Sequence, residues 1–268
     1  MAKRAICVGI NDYPGTYNDL SGCVNDATDW ASLLRDVFQF GDDVTTITDA
    51  SATRTDILDA LSNLITGAQD GDLIVFTYSG HGTWVYDQGE RDESDNRDEA
   101  ICAYDGNILD DEMRAIIRQM KPGVRLTVVS DSCHSGTVTR AMLKRTHRTD
   151  AEAAQNAPKP RYMPPEEEID ALRTALIPVR KRFLYPTEDM KEILITGCNA
   201  LEYSYDAHIN GRYNGAMTAM AINIIKGNPS QTYQEFHRKL RKCLPTPRYP
   251  QSPQLECSPA YRESPLFT

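Results

Sequence analysis

The sequence predicts an α/β fold, a mostly parallel β-sheet flanked by helices on both faces. Three observations predict it. Short runs rich in β-branched residues alternate with longer stretches whose apolar residues recur every three or four positions. The short runs are apolar throughout instead of alternating, the mark of strands covered on both faces. And 268 residues, 40% apolar and 25% charged, can close one substantial core.

Taken in order, residues 4–10 (RAICVGI) form the first strand. Residues 25–38 form a helix with Ala27, Trp30, Ala31, Leu34 and Val37 on one face. A β-branched strand follows at 44–48. A helix spans 53–68, carrying Ile57, Leu58, Leu61, Leu64 and Ile65. The clearest buried strand is 72–78 (DLIVFTY), and a helix at 110–120 precedes another strand at 124–130. From Thr139 to Arg182 the alternation lapses. This stretch is rich in Ala and Pro, with ten Lys or Arg against six Asp or Glu. A segment this long without periodicity reads as a linker or functional loop. The alternation resumes with a strand at 192–196, helices at 216–225 and 233–240, and a last strand at 254–257. The chain thus divides into residues 1–139, an insert over 140–182, and residues 183–268 that complete the same domain.

Charge excludes one broad class. Eleven acids and two Arg lie between Asp87 and Glu112. Removing them from the 38 acids and 29 bases of the chain leaves 27 of each, so one segment carries the whole net charge of −9. No basic footprint exists for nucleic acid. From charge alone, the acidic run reads as a solvated loop. No apolar stretch is long enough to cross a membrane. The start of the chain has no signal-peptide pattern, and the seven Cys include no C-x-x-C pair. A cytoplasmic monomer with reduced thiols is expected.

Two motifs follow apolar strands. Tyr78-Ser79-Gly80-His81-Gly82 comes directly after the strand at 72–78, and Asp131-Ser132-Cys133-His134-Ser135-Gly136 after that at 124–130. In a parallel sheet both emerge at the C-terminal edge, where α/β proteins place their sites. A His and a Cys brought there are a plausible base and nucleophile, with flanking Gly that let main-chain N–H groups approach a reacting carbonyl. Either residue alone reads as structural, since thiols bury well. His134 is a weaker base, because adjacent side chains point apart. No G-x-S-x-G, H-E-x-x-H or phosphate-loop motif competes.

These motifs resemble those of the metacaspases, caspase-like cysteine peptidases. Caspases place the His about 50 residues before the Cys, and here 52 positions separate His81 from Cys133. The likeness extends to GCVNDA (22–27), DEAICAYD (98–105), ILDDEM (108–113) and the region from ILITGCNALEYSYDA to GAMTAMAI (193–222). It looks like a minimal form, an orthocaspase. The resemblance implies the caspase-haemoglobinase fold and peptide hydrolysis by Cys133 with His81 as base, the oxyanion resting on the main-chain N–H groups of Gly82 and Cys133.

It also implies a substrate pocket containing Asp26 and Asp131 and lined by Cys23 and Ser79. Two carboxylates in one pocket repel unless a cation joins them, so cleavage after Arg or Lys is expected in protein or peptide substrates. Taken locally, Asp26 also reads as a helix-start residue favoured by the dipole. Self-cleavage is expected in the insert, with Lys144, Arg145, Arg148, Arg180, Lys181 and Arg182 as candidates. The family's calcium site would use Asp98, Asp110 and Asp111, but its fourth position is Arg140 here. Calcium needs 6–8 oxygen ligands, so a weak or absent site is expected and no cofactor is required, with Arg140 as a built-in cation. Two alternatives remain open: a catalytically silent binding scaffold, and an acidic calcium-binding module.

Overall fold

The structure, a computed structural model, describes residues 1–15, 17–86, 97–133, 157–164, 190–200 and 202–268. A six-stranded sheet forms its centre, in the order β12-β9-β7-β3-β1-β2. Its members are β1 (Lys3–Gly9), β2 (Val44–Thr48), β3 (Leu73–Ser79), β7 (Arg125–Asp131), β9 (Glu192–Thr196) and β12 (Gln254–Glu256). The first five run parallel, and β12 pairs antiparallel with β9 at the edge. The expected α/β class is therefore the observed one.

Side chains of the central strands point alternately into two apolar layers. On one face Ala5, Cys7, Val75 and Val129 pack with Trp30 and Leu34 of α1 (Cys23–Asp36), Met217 and Ala221 of α4 (Ala216–Gly227), and Phe236 and Leu240 of α5 (Tyr233–Cys243). On the other, Ile6, Val8, Phe76 and Val128 pack with Ile57, Leu61 and Ile65 of α2 (Arg54–Thr66) and Ile117 of α3 (Asp110–Ile117). Burial on both faces explains why these strands read as continuous apolar runs. Thr53 caps α2 through the Asp56 N–H, and Thr232 and Glu235 form a capping box on α5. The start of α1 has no cap of its own; Asn11, from the loop after β1, accepts the N–H of Cys23 at 2.7 Å. That bond ties the first loop to the helix that carries Asp26.

Two small antiparallel sheets were not foreseen. One joins β4 (Gly82–Tyr86), β5 (Arg97–Ala103) and β6 (Gly106–Leu109); the other joins β8 (Lys159–Pro160), β10 (Tyr205–Ile209) and β11 (Arg212–Gly215). Much of the acidic run expected to be a solvated loop is thus sheet and helix. In β5 the block Arg97-Asp98-Glu99 precedes the buried Ala100, Ile101 and Cys102, and that charged start obscured the strand pattern. The β10–β11 turn is Asn210-Gly211, both with positive φ (52° and 80°), the standard dipeptide of a tight hairpin. A short helix, α6 (Pro259–Arg262), follows β12. Among the described residues no helix is long and apolar enough to cross a membrane.

Candidate active site

The two motifs meet because β3 and β7 are neighbours in register: Ser79 pairs with Asp131 at the C-terminal edge. Beyond these ends the chains turn toward each other, and a Cβ on Gly82 would lie 1.7 Å from the Cys133 carbonyl oxygen. Only glycine permits that approach. The loop carrying His81 is fixed from below. Its carbonyl lies 2.7 Å from the Tyr78 hydroxyl and accepts the Cys102 N–H at 2.9 Å, while its N–H donates to the Tyr13 hydroxyl at 2.9 Å.

The His81 ring is 2% exposed, and its Nε2 lies 2.6 Å from the Asn18 carbonyl oxygen. A carbonyl only accepts, so Nε2 carries the proton and Nδ1 is the basic nitrogen of the neutral ring. Nδ1 is buried and has no hydrogen-bond partner. Burial pushes the imidazole down to about 4, and Lys159 and Arg161 push in the same direction. The ring is thus uncharged at neutral pH. The Cys133 sulfur accepts the Ser204 N–H at 2.7 Å and lies 3.2 Å from the Ser204 carbonyl oxygen. No hydrogen bond joins it to the His81 ring.

A residue of the insert fills the space between the motifs. Arg161 is fully buried, and its carbonyl oxygen accepts the N–H groups of both Gly82, at 3.0 Å, and Cys133, at 3.2 Å. Its own N–H donates to Ser204 O at 2.9 Å, so the segment continues the β8–β10 pairing past the site. The guanidinium enters an acidic pocket. Nη2 donates to Asp26 at 2.7 Å and Asp206 at 3.0 Å. Nη1 donates to Ser79 Oγ at 2.7 Å and lies 3.4 Å from an Asp131 carboxylate oxygen.

The pocket acids are held by main-chain and hydroxyl donors. Asp26 accepts Ser79 Oγ at 2.6 Å, Asn214 Nδ2 at 2.9 Å and the Gly215 N–H at 3.0 Å. Asp131 accepts the Thr218 N–H and hydroxyl at 2.9 and 2.8 Å and also the Ser204 hydroxyl. Asp206 accepts the N–H groups of Ser21 and Gly22. Burial raises the Asp26 carboxyl; Arg161 opposes the rise and Asp131 adds to it. Cys23 is buried alongside, close enough to feel Arg161, Asp206 and Asp26. Three carboxylates, Asp26, Asp131 and Asp206, thus surround the one guanidinium of Arg161 in this pocket.

His81, Cys133, Gly82, Asp26, Asp131, Cys23 and Ser79 are therefore brought together. Lys144, Arg145, Arg148, Arg180, Lys181, Arg182, His134 and Arg140 lie outside the described residues. Asp110 and Asp111 open α3 and both pair with Arg114, at 2.9 and 3.2 Å. Among the described residues no group of three or more His, Cys, Asp or Glu could hold a metal ion. Sequence reasoning missed Asp206, Ser204, Asn18 and Arg161. Asp206 had a signal, an acid in a strand leading into an Asn-Gly hairpin. Arg161 had another, a base among Pro158, Pro160 and Pro164, which favour an extended chain.

Comparison with known proteins shows what the chain is similar to. The family model described as "Metacaspase, peptidase C14 domain" matches residues 3–142. The chain is 32% identical to Metacaspase-1A of Aspergillus fumigatus, covering 96% of this chain and 68% of that protein. It is also 32% identical to Metacaspase-1 of Botryotinia fuckeliana, covering 99% and 70%. The crystal structure of protein GSU0716 from Geobacter sulfurreducens superposes with a TM-score of 0.72 and 29% identity, covering 100% of this chain and 99% of that one.

Proposed function

Because the chain belongs to the metacaspase family of C14 cysteine peptidases, and so is a hydrolase of protein substrates, we propose that it cuts after Arg or Lys with a Cys133–His81 dyad. The observation that supports this best is Arg161. Its guanidinium is in the acidic pocket while its carbonyl oxygen rests on two N–H groups beside the thiol. That is the pose a substrate needs. The pocket holds the side chain before the cleaved bond, and the two N–H groups face the oxygen on which negative charge develops.

In this mechanism Nδ1 of His81 takes the thiol proton. The sulfur leaves its Ser204 partners and attacks the carbonyl carbon, and a C–S bond forms. The oxyanion gathers the Gly82 and Cys133 N–H bonds, each donor in such a hole being worth on the order of 10²–10³ in rate. The C–N bond then breaks, and His81 returns the proton to the leaving amine. Water, activated by the same ring, hydrolyses the thioester. Asn18 serves as a positioning residue, because its carbonyl fixes the tautomer that leaves Nδ1 basic.

The insert is a substrate of the same site. Among its described residues, Arg161 has its side chain in the pocket and its carbonyl on both donors, so self-processing is assigned to the Arg161–Tyr162 bond. Fluorogenic peptides ending in Arg, Lys and Asp test the specificity. Turnover of the Arg and Lys peptides and not of the Asp peptide is expected; preference for Asp rejects the acidic-pocket reading.

A further inference from the structure

The chain does not stop at Arg161. Tyr162 follows it and is 9% exposed. Its hydroxyl accepts the indole N–H of Trp84 at 3.0 Å, and its ring lies 5.7 Å from the Tyr203 ring at 57°. Trp84 and Tyr203 are themselves 2% and 7% exposed. The main chain is held on this side too, since the Met163 N–H donates to Gly82 O at 3.0 Å. Gly82 thus binds the segment twice, through its N–H before the bond and its carbonyl after it.

We propose that Trp84 and Tyr203 form a binding site for the residue after the cleaved bond, and that this site selects an aromatic side chain, tyrosine above all. The inference rests on the reading of Arg161 as the residue before that bond. Trp84 lies in β4, two residues beyond Gly82, and Tyr203 precedes Ser204, which holds the Cys133 sulfur. Both walls are therefore built from the segments that frame the reacting atoms. Tilted aromatic pairs at this separation add to the burial of the ring itself. The indole N–H distinguishes Tyr from Phe, because it is left without the hydroxyl when Phe enters. The preferred substrates are accordingly proteins with an Arg-aromatic pair in an extended segment.

The test uses the self-processed wild-type protein and internally quenched peptides of the sequence Lys-Pro-Arg-X-Met-Pro, with X as Tyr, Phe or Ser. The expected kcat/KM for Tyr exceeds that for Ser by about tenfold, equivalent to about 1.4 kcal/mol, and that for Phe by about threefold, the scale of one neutral hydrogen bond. In Trp84→Phe the ratio of Tyr to Phe should fall to about one, since no indole N–H remains to bind the hydroxyl. Efficient cleavage after Arg with equal rates for Tyr and Ser overturns the aromatic site and leaves the Arg specificity standing. A Tyr-to-Phe preference that survives in Trp84→Phe removes Trp84 as its reader. If the protein cuts these peptides elsewhere than after Arg, the Arg reading falls and the aromatic site with it.

Discussion

Asp26 and Arg161 are 135 residues apart in the chain and 2.7 Å apart in the fold, with neither exposed to solvent. A buried ion pair of this kind contributes little net stability, because desolvation offsets most of its attraction. Its value here is positional. It holds an arginine where, on the proposed reading, a substrate arginine would bind.

Removal of that pocket should be selective. Asp26→Ala or Asp131→Ala leaves an incoming guanidinium poorly paired, a loss of about 2–5 kcal/mol, or roughly 30- to 4000-fold in kcat/KM for an Arg peptide. Asp206→Ala should weaken the same substrates, because Asp206 also contacts the guanidinium. Steady-state kinetics on matched Arg and Lys peptides measure both effects. Unchanged kinetics in all three variants would exclude the acids from recognition.

Chemistry should depend on two side chains. Cys133→Ala abolishes hydrolysis and leaves the chain uncut, and His81→Ala nearly does so, since the thiol loses the only basic nitrogen assigned to it. Thermal melts of the variants verify folding. Hydrolysis that persists in a Cys133→Ala preparation free of wild type would point to another nucleophile.

Self-processing should leave a new N-terminus beginning Tyr-Met-Pro, readable by intact-mass spectrometry of the active protein. Arg161→Gln should abolish that cut, whereas Arg161→Lys should retain it at a lower rate, because Lys lacks the forked geometry that reaches Asp26 and Asp206 together. A cut confined to 144–148 or 180–182 would refute the assignment.

The pH dependence has a definite sign. With Arg161 in place His81 titrates near 4; departure of Arg161 and Lys159 removes two positive neighbours and some burial, so the ring moves back up toward 6.5. The fall of kcat/KM in acid, which reports the free enzyme, should lie between these limits. Asp26 moves oppositely. Its carboxyl is already raised, and an empty pocket lacks the guanidinium that holds it down. Protons therefore compete with substrate, and KM for an Arg peptide should rise as pH falls, at higher pH than the ordinary carboxylate value of about 3.9. A KM that stays flat down to pH about 5 would mean that Asp26 ionises normally.

Calcium should have no effect. Arg114 already pairs with Asp110 and Asp111, supplying next to them the positive charge an ion would bring. Activity should be equal in a chelator and in millimolar calcium. Loss in chelator with recovery on adding calcium would show that these acids and Asp98 are recruited to an ion.

Much of this was legible from the sequence, for physical reasons. Residues 72–78 and 124–130 announce buried strands because both faces are covered, and the motifs that follow them must share an edge. Asp26 and Asp131 could be paired only through a family resemblance, since nothing local places a helix-start acid against a strand-end acid. The small sheet around β5 was hidden because half its strand is charged. Arg161 was hidden because the clustered bases at 144–148 and 180–182 carry the stronger charge signal, whereas the deciding quantity was extended backbone favoured by proline. Asp206 was hidden because its role depends on partners more than 40 residues distant.

The tether between Arg161 and the pocket has a consequence in time. A ligand joined covalently to its site occupies it at an effective concentration set by chain geometry and not by dilution. Under the proposed self-processing, first cleavage would be a unimolecular event, with a rate that is a property of each molecule alone. Every copy would then carry a private clock that starts when it folds. Its processing would not depend on how many neighbours surround it, and a population of such molecules would convert exponentially instead of igniting as a chain reaction.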